Sequence, residues 1–248
     1  VIVLKSPAEI QKMGVASRMV AEILAGLKEL VVPGVTLLEL DSYAERETLK
    51  RKAKPAFKGY SGFPYSLCCS VNEQVVHGMP STRVLVSGDI VSLDFGVVYG
   101  GFFGDAAITV PVGQISAQAA RLVKVTEESL YKAIELADSA HRLSDLSNAV
   151  QVHVEKQGFS VVRDFVGHGI GKDLHEGPQI PNFGAPGKGP RLKAGMVLAI
   201  EPMINEKGFE VKVLQDGWTA VTCDGGLSAH FEHTVAITDN GPLILSRI

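Results

Sequence analysis

Four carboxylates occupy places where an ordinary strand residue would be apolar. Asp94 follows the run Ile90-Val91-Ser92-Leu93, and Asp105 comes shortly after it, in Gly104-Asp105-Ala106. An unpaired carboxylate in such a strand is expensive. The spacing reads as an apolar run closed by Asp94, and a hairpin that brings the two aspartates side by side. Glu201 closes Val197-Leu198-Ala199-Ile200 and precedes Pro202. Proline cannot donate to a sheet ladder, so this is a strand end or bulge. Glu232 lies in Phe231-Glu232-His233-Thr234-Val235-Ala236-Ile237. Alternation there puts Glu232, Thr234 and Ala236 on one face. Either glutamate alone reads as a salt-bridged strand residue, but four such carboxylates in one chain make that reading poor.

Three histidines sit in glycine-flanked turns after apolar segments. They are His168 in Gly167-His168-Gly169-Ile170-Gly171, His175 in Leu174-His175-Glu176, and His77 in Val76-His77-Gly78-Met79-Pro80. Glycine on either side lets a ligand or another backbone approach closely. Adjacent buried carboxylates repel, and a shared cation or proton relieves the repulsion. Two aspartates, two glutamates and one histidine suit a pair of divalent ions. An oxygen-rich set with one imidazole favours Mn, Fe, Co or Zn over a thiolate site. Two ions about 3.5–4 Å apart can share a hydroxide and polarise a carbonyl. The residues therefore point to metal-assisted hydrolysis.

The elements that must hold these residues are marked in the sequence. Ser6-Pro7-Ala8-Glu9 is a capping box with proline at the first helical position, followed by apolar residues at helical spacing until Val32-Pro33-Gly34. Thr36-Leu37-Leu38-Glu39 is a second capping box and opens a helix to about Lys52. Residues 55–64 read as a loop, and strands are expected over 66–71, 89–98 and 102–110. Helices are expected over 116–137 and 144–157, the latter capped by Ser144. Residues 177–195 are rich in proline and glycine and read as loop. Strands follow at 196–204, 210–214, 218–222, 229–238 and 243–245.

The order helix, helix, strands thus occurs twice. Gly88-Asp89-Ile90-Val91-Ser92-Leu93-Asp94 aligns with Gly195-Met196-Val197-Leu198-Ala199-Ile200-Glu201. The helix caps Thr36 and Ser144 precede those glycines by nearly equal lengths. The expectation is one catalytic domain over 1–248, with halves of about 4–112 and 113–246 that each supply a carboxylate at the same place.

Composition narrows the alternatives. A chain of 248 residues buries roughly 70% of its extended surface on folding, enough for a large core without disulfides. A net charge of −3 with 21% charged residues argues against disorder and against strong attraction to nucleic acid. No apolar run approaches the roughly 18 residues of a membrane span. Val1 to Leu4 is too short for a signal-peptide core, and three cysteines, two of them adjacent, form no disulfide framework. The cytoplasm is therefore the expected location. Asp94-Phe95-Gly96 matches a kinase metal motif, but its companion motifs are absent. Gly167-His168-Gly169-Ile170-Gly171 lacks the dinucleotide-binding spacing. Cys68 and Cys69, beside Leu67, read as inert packing rather than as a nucleophile.

Taken together, Ser70 to Gly78, the Asp94/Asp105 pair, the Gly167–Gly171 run, His175-Glu176, Ile200-Glu201-Pro202-Met203 and Phe231-Glu232-His233-Thr234 resemble the type I methionine aminopeptidases of the pita-bread metallopeptidase superfamily. The resemblance spans about residues 4 to 246. It implies an α/β (α+β) pita-bread fold, with two pseudo-twofold-related α/β halves around a central antiparallel sheet. It implies removal of the initiator methionine from nascent proteins whose second residue is small, by a metal-bridged hydroxide. Asp94, Asp105, His168, Glu201 and Glu232 become the ligands of two divalent ions (Co, Mn, Fe, Zn or Ni), with Asp105 and Glu232 bridging. His175 becomes the residue that contacts the substrate carbonyl, His77 lies near the scissile nitrogen, and Glu201 shuttles protons. Phe57, Tyr60, Phe63, Cys68, Leu174 and Trp218 form the methionine pocket, while Asn72, Gln74 and Ser228 match a monovalent-cation position. Implied partners are nascent N-termini and, transiently, the ribosome, with a monomeric enzyme and no DNA or membrane. Phe57 and Phe63 stand where cysteine and tyrosine are frequent, Leu174 where an aromatic is common, Gly96 where threonine is frequent and Phe103 where histidine is. These departures remove no ligand and bear on pocket shape and metal preference. Two other functions are possible on this fold. A binding module without catalysis would typically lose ligands, and an Xaa-Pro peptidase usually carries an added N-terminal domain for which the chain has no room.

Overall fold

The computed structural model describes residues 1–248. Helix α1 (Pro7–Leu30) starts where its capping box predicts. The Ser6 N–H donates to the Glu9 carboxylate at 2.9 Å, and the Glu9 N–H donates back to the Ser6 hydroxyl at 3.3 Å. Thr36 and Glu39 do the same for α2 (Leu37–Lys50). Strands β1 (Lys54–Pro55), β2 (Cys68–Val71), β3 (Gln74–Val76), β4 (Ile90–Tyr99) and β5 (Phe102–Pro111) complete the first half of the chain. Helices α3 (Ala117–Ile134) and α4 (Leu143–Lys156) open the second. Ten short strands follow: β6 (Ser160–Val161), β7 (Gly167–Gly169), β8 (Glu176–Ile180), β9 (Val197–Ile200), β10 (Met203–Asn205), β11 (Val211–Val213), β12 (Ala220–Thr222), β13 (Ser228–His230), β14 (Glu232–Thr238) and β15 (Gly241–Ile244). No helix is long and apolar enough to cross a membrane.

The main sheet is antiparallel, in the order β1-β4-β5-β14-β9-β7-β8, with β2 on β4 and β15 on β14. Helices α1 and α2 cover one side of the β4–β5 half, and α3 and α4 cover the β9–β14 half. The period-two alternation of strands then decides what faces the opposite surface. Val91, Leu93, Phe95 and Val97 of β4, with Ala106 and Val110 of β5, enter the core under α1. Leu198 and Ile200 of β9, with Val235 and Ile237 of β14, enter the core under α3 and α4. Asp94, Asp105, Glu201 and Glu232 have the other parity, so all four project from the helix-free face. The two halves meet where β5 pairs with β14 through Ala107–Glu232 and Ala106–His233. Threonine hydroxyls extend that junction: Thr234 accepts from the Asp105 N–H at 3.1 Å and donates to its carbonyl at 2.7 Å. Thr109 makes the same pair of bonds to His230.

The structure corrects several expectations. The strand expected over 89–98 is β4, with Asp94 inside it, but other bounds differ. Strand 196–204 is two strands broken at Glu201-Pro202, and 229–238 is two strands broken at Phe231. The loop expected over 177–195 contains most of β8, which accommodates Pro178 because it is the sheet's edge strand. Ser144 does not cap α4. Arg142 does, with its N–H donating to Asp145 at 2.7 Å, while the Ser144 hydroxyl is exchanged with the backbone of Lys188.

Helix α1 lies so close to β5 that a Cβ on Gly104 would stand 2.5 Å from the Ser17 nitrogen and 2.7 Å from its Cα. Both are backbone atoms of a buried helix and cannot swing aside. Gly104→Ala is expected to cost about 2–3 kcal/mol, read as a shift in the urea midpoint without a change in slope. An unchanged midpoint would show that α1 is free to move.

Candidate active site

On the helix-free face, one cavity of about 220 Å³ has 14 lining residues. All but Ser61 are the candidates named from sequence: the five proposed ligands, His77, His175, and the six pocket residues. A second lobe of about 210 Å³ shares His77, Asp94, His175 and Glu201 with it and is otherwise walled by Val76, Asp164, Phe165, Val166 and Met203. A larger groove of about 990 Å³ between α1 and the C-terminal segment contains none of the clustered carboxylates.

The floor is acidic and buried. Donor atoms of Asp105, His168 and Glu232 lie within 4.8 Å of one another, the reach of one ion. The His168 Nε2 stands 3.5 Å from the Glu201 carboxylate. The Nδ1–H of His168 donates to the Gly169 carbonyl at 2.9 Å, which fixes the tautomer and leaves Nε2 as a free electron pair facing the carboxylates. Asp94 Oδ1, Asp105 Oδ1 and Glu232 Oε1 are buried with no hydrogen-bond partner. Buried polar atoms in native proteins are rarely left so. Four oxygen donors and one imidazole, with orphaned oxygens pointing into a common space, fit hard or borderline divalent cations.

Electrostatics agree with that fit. Burial pushes Asp94 up to about 7 and Glu201 up to about 8. Asp105 is raised well above the carboxylate range by burial, then by Asp94 and Glu201, and Glu232 by burial, then by Asp105, Glu201 and Asp94. Burial lowers His168 and His77 to about 4, and it also lowers His175. A cation among these groups supplies the charge that would let all four carboxylates ionise. A pH dependence follows. Without metal, the folded carboxylates keep protons that the unfolded chain releases near pH 4, so their contribution to stability falls as pH rises toward about 8. Histidines held neutral work the other way, but only below about 6.5. In chelator, the melting temperature is therefore expected to fall between about pH 6.5 and 8, and saturating Mn should abolish the fall. A chelated protein that is equally stable across that window would contradict the clustered carboxylates.

The walls are aromatic. Phe63 meets Trp218 edge-on with centroids 5.1 Å apart, and His77 meets Phe165 edge-on at 5.4 Å. The Tyr60 hydroxyl lies 2.7 Å from Nδ1 of His175. His77 has a left-handed backbone (φ 58°), uncommon for a residue with a side chain and a frequent mark of functional sites. Two of the unusual positions explain one another: a Cβ on Gly96 would be 2.9 Å from the Phe57 ring and 3.4 Å from Asp105 Oδ1. The Phe57 ring takes the space that a side chain at 96 would fill. The side chains of Asn72, Gln74 and Ser228 are committed to Asp89 and Ile90, to Val71, and to Ile204 and Asn205 respectively.

Sequence reading missed one histidine. His230 is buried, and its Nε2 has no hydrogen-bond partner and lies 3.5 Å from the Glu201 carboxylate. The signal was its place two residues before Glu232, on the same parity. Asp164 and Phe165 of the second lobe were also missed, for they sit in a segment with no motif.

The model of metallopeptidase family M24 matches residues 11–239. The chain belongs to that family. This M24 metallopeptidase is 57% identical over 247 residues to a methionine aminopeptidase of Clostridium perfringens, covering 100% of this chain and 99% of that protein. It is 54% identical over 247 residues to methionine aminopeptidase 1 of Bacillus subtilis, covering 100% of both. The crystal structure of a methionine aminopeptidase from Thermotoga maritima matches with a TM-score of 0.98 at 50% identity, over 100% of both chains. A prolidase from Pyrococcus furiosus matches 99% of this chain and 66% of its own length with a TM-score of 0.81 at 22% identity, a likeness of fold alone. The pita-bread arrangement expected from the sequence is thus the fold observed.

Proposed function

We propose that this M24 metallopeptidase is a methionine aminopeptidase that removes the initiator methionine from chains with a small second residue. The observation that carries the reading is the juxtaposition of orphaned buried carboxylate oxygens with an aromatic-walled pocket of about 220 Å³. Asp94, Asp105, His168, Glu201 and Glu232 would hold two divalent ions. When bound, such ions supply a water ionised near neutral pH and a Lewis acid for the scissile carbonyl.

The chain's own residues do the rest. Burial keeps His175 neutral, and with the Tyr60 O–H donating to Nδ1, the imidazole proton sits on Nε2. That N–H donates to the carbonyl oxygen as negative charge develops on it. Glu201 accepts the proton of the attacking water and delivers it to the leaving amine. His77, shared by both lobes, faces the scissile nitrogen and the second residue. Phe57, Tyr60, Phe63, Cys68, Leu174 and Trp218 enclose an unbranched thioether, which suits a narrow apolar slot. Val76, Phe165 and Met203 crowd the lobe that receives the following residue. The acidic floor favours a free α-amino group, so cleavage is confined to the first residue. Nascent chains at the ribosome, in the cytoplasm, present such N-termini.

The test compares Met-Ala-Ser with its N-acetylated form and with an Xaa-Pro peptide. Methionine released from the free peptide alone supports the reading. Cleavage of the acetylated peptide, or preference for Xaa-Pro, overturns it.

A further inference from the structure

The segment that carries His175 is held by a residue far away in sequence. Lys5 lies in the arm that precedes α1, and its side chain is 4% exposed. Its ammonium forms an ion pair with the Glu176 carboxylate, whose side chain is 9% exposed, and also donates to the Val3 carbonyl at 3.2 Å. The arm itself is fixed to the sheet, because the Lys5 N–H donates to the Gly195 carbonyl at 2.7 Å and Ile2 bridges Gly177 in parallel. The other oxygen of Glu176 accepts from the Lys172 N–H at 2.8 Å and from the Asp173 N–H at 3.4 Å. One carboxylate therefore closes the 172–176 turn and anchors it to the arm. Gly171 makes room for this: a Cβ there would overlap both the Glu176 carboxylate and the Lys5 stem. On the far side of the same turn, the Phe103 N–H donates to the Gly171 carbonyl at 2.9 Å, two residues before Asp105.

We infer that Lys5 is a positioning residue for His175: its buried ion pair with Glu176 sets the turn from which the imidazole reaches the substrate carbonyl. The inference rests on the aminopeptidase reading above and extends it to a residue outside the cavity. Removing one partner of a buried pair leaves the other charge uncompensated. Glu176 then escapes by swinging toward water, and its bonds to Lys172 and Asp173 go with it. The turn loosens beside His175, while Asp105, His168 and Glu232 stay on their strands. Small misplacement of a catalytic group is costly to turnover, and losing a contact made only in the transition state lowers kcat and kcat/KM together, leaving KM unchanged.

The experiment measures kcat, KM, metal content and melting temperature for Lys5→Met, Lys5→Arg, Glu176→Gln and the double variant Lys5→Met/Glu176→Gln, using methionine release from Met-Ala-Ser. Lys5→Met and Glu176→Gln are each expected to lower kcat by about tenfold or more, with KM within about twofold and metal content unchanged. Lys5→Arg should recover most of the loss, and the double variant should be no slower than either single one. Hydrogen exchange should rise in 171–177 in the slow variants and not in β4 or β5. The inference is overturned if Lys5→Met melts earlier but turns over normally. It is equally overturned if both charge-removing variants fail to fold while Lys5→Arg folds, which would make the pair's work purely structural. Absence of release by the wild type is a different result and would sink the aminopeptidase reading itself.

Discussion

Replacing His175 by alanine is expected to lower kcat by about 10²–10³-fold while two metals per chain are retained, the loss typical of one oxyanion donor. The imidazole lies on the cavity wall, its Nδ1 taken by the Tyr60 hydroxyl at 2.7 Å. In the proposed mechanism the Nε2–H then donates to the oxygen on which charge develops. A rival role is support of His168, since the two rings lie 4.3 Å apart between centroids. Metal analysis separates the two. Unchanged metal with low turnover fits a donor to the substrate, and loss of metal fits support of His168 instead. Tyr60→Phe should give a smaller loss with the same metal content, because only the orientation of the imidazole is relaxed.

Asp105→Asn is expected to weaken the binding of at least one ion by about 10²-fold or more. Even outer partners of metal ligands cost 10–100-fold when removed, and a shared ligand that loses its charge should cost no less. The measurement is calorimetric titration of the chelated protein with Mn. A second readout moves in the opposite direction. Asp105 is buried with an unpartnered Oδ1 and is pushed well above the carboxylate range by burial, Asp94 and Glu201. A neutral amide removes that repulsion, so the chelated variant should be at least as stable as the chelated wild type at pH 8. Lower chelated stability together with normal Mn affinity would mean that Asp105 is structural.

Much of this was visible in residue types and parity. The four carboxylates interrupt apolar strands, and period-two alternation alone puts Asp94, Asp105, Glu201 and Glu232 on the face away from Val91, Leu93, Leu198 and Val235. The capping boxes at Ser6 and Thr36 were visible because each is a local exchange within four residues. What escaped depends on partners far away in sequence. Ser144 looked like a cap, but its hydroxyl belongs to Lys188, which only the folded chain brings near. Strand β7 is Gly-His-Gly and has no intrinsic strand preference; it exists because Ala199 and Leu198 pair with it. Strand β8 was hidden by Pro178, which an edge position tolerates. His230 went unnoticed although it shares the parity of Glu232, because its approach to Glu201, 29 residues away in sequence, exists only in the folded chain. The pairing of Phe57 with Gly96 is likewise a matter of shared volume, which no spacing encodes.

The central claim is that the acidic floor holds metal and that the aromatic pocket takes methionine. The most direct measurement is free methionine released from Met-Ala-Ser by protein stripped with chelator and then reloaded with Mn or Co. The account predicts no release from the stripped protein, recovery on reloading, and none from Leu-Ala-Ser at comparable rate. Release that survives chelation, or none with any divalent ion from folded protein, would contradict it.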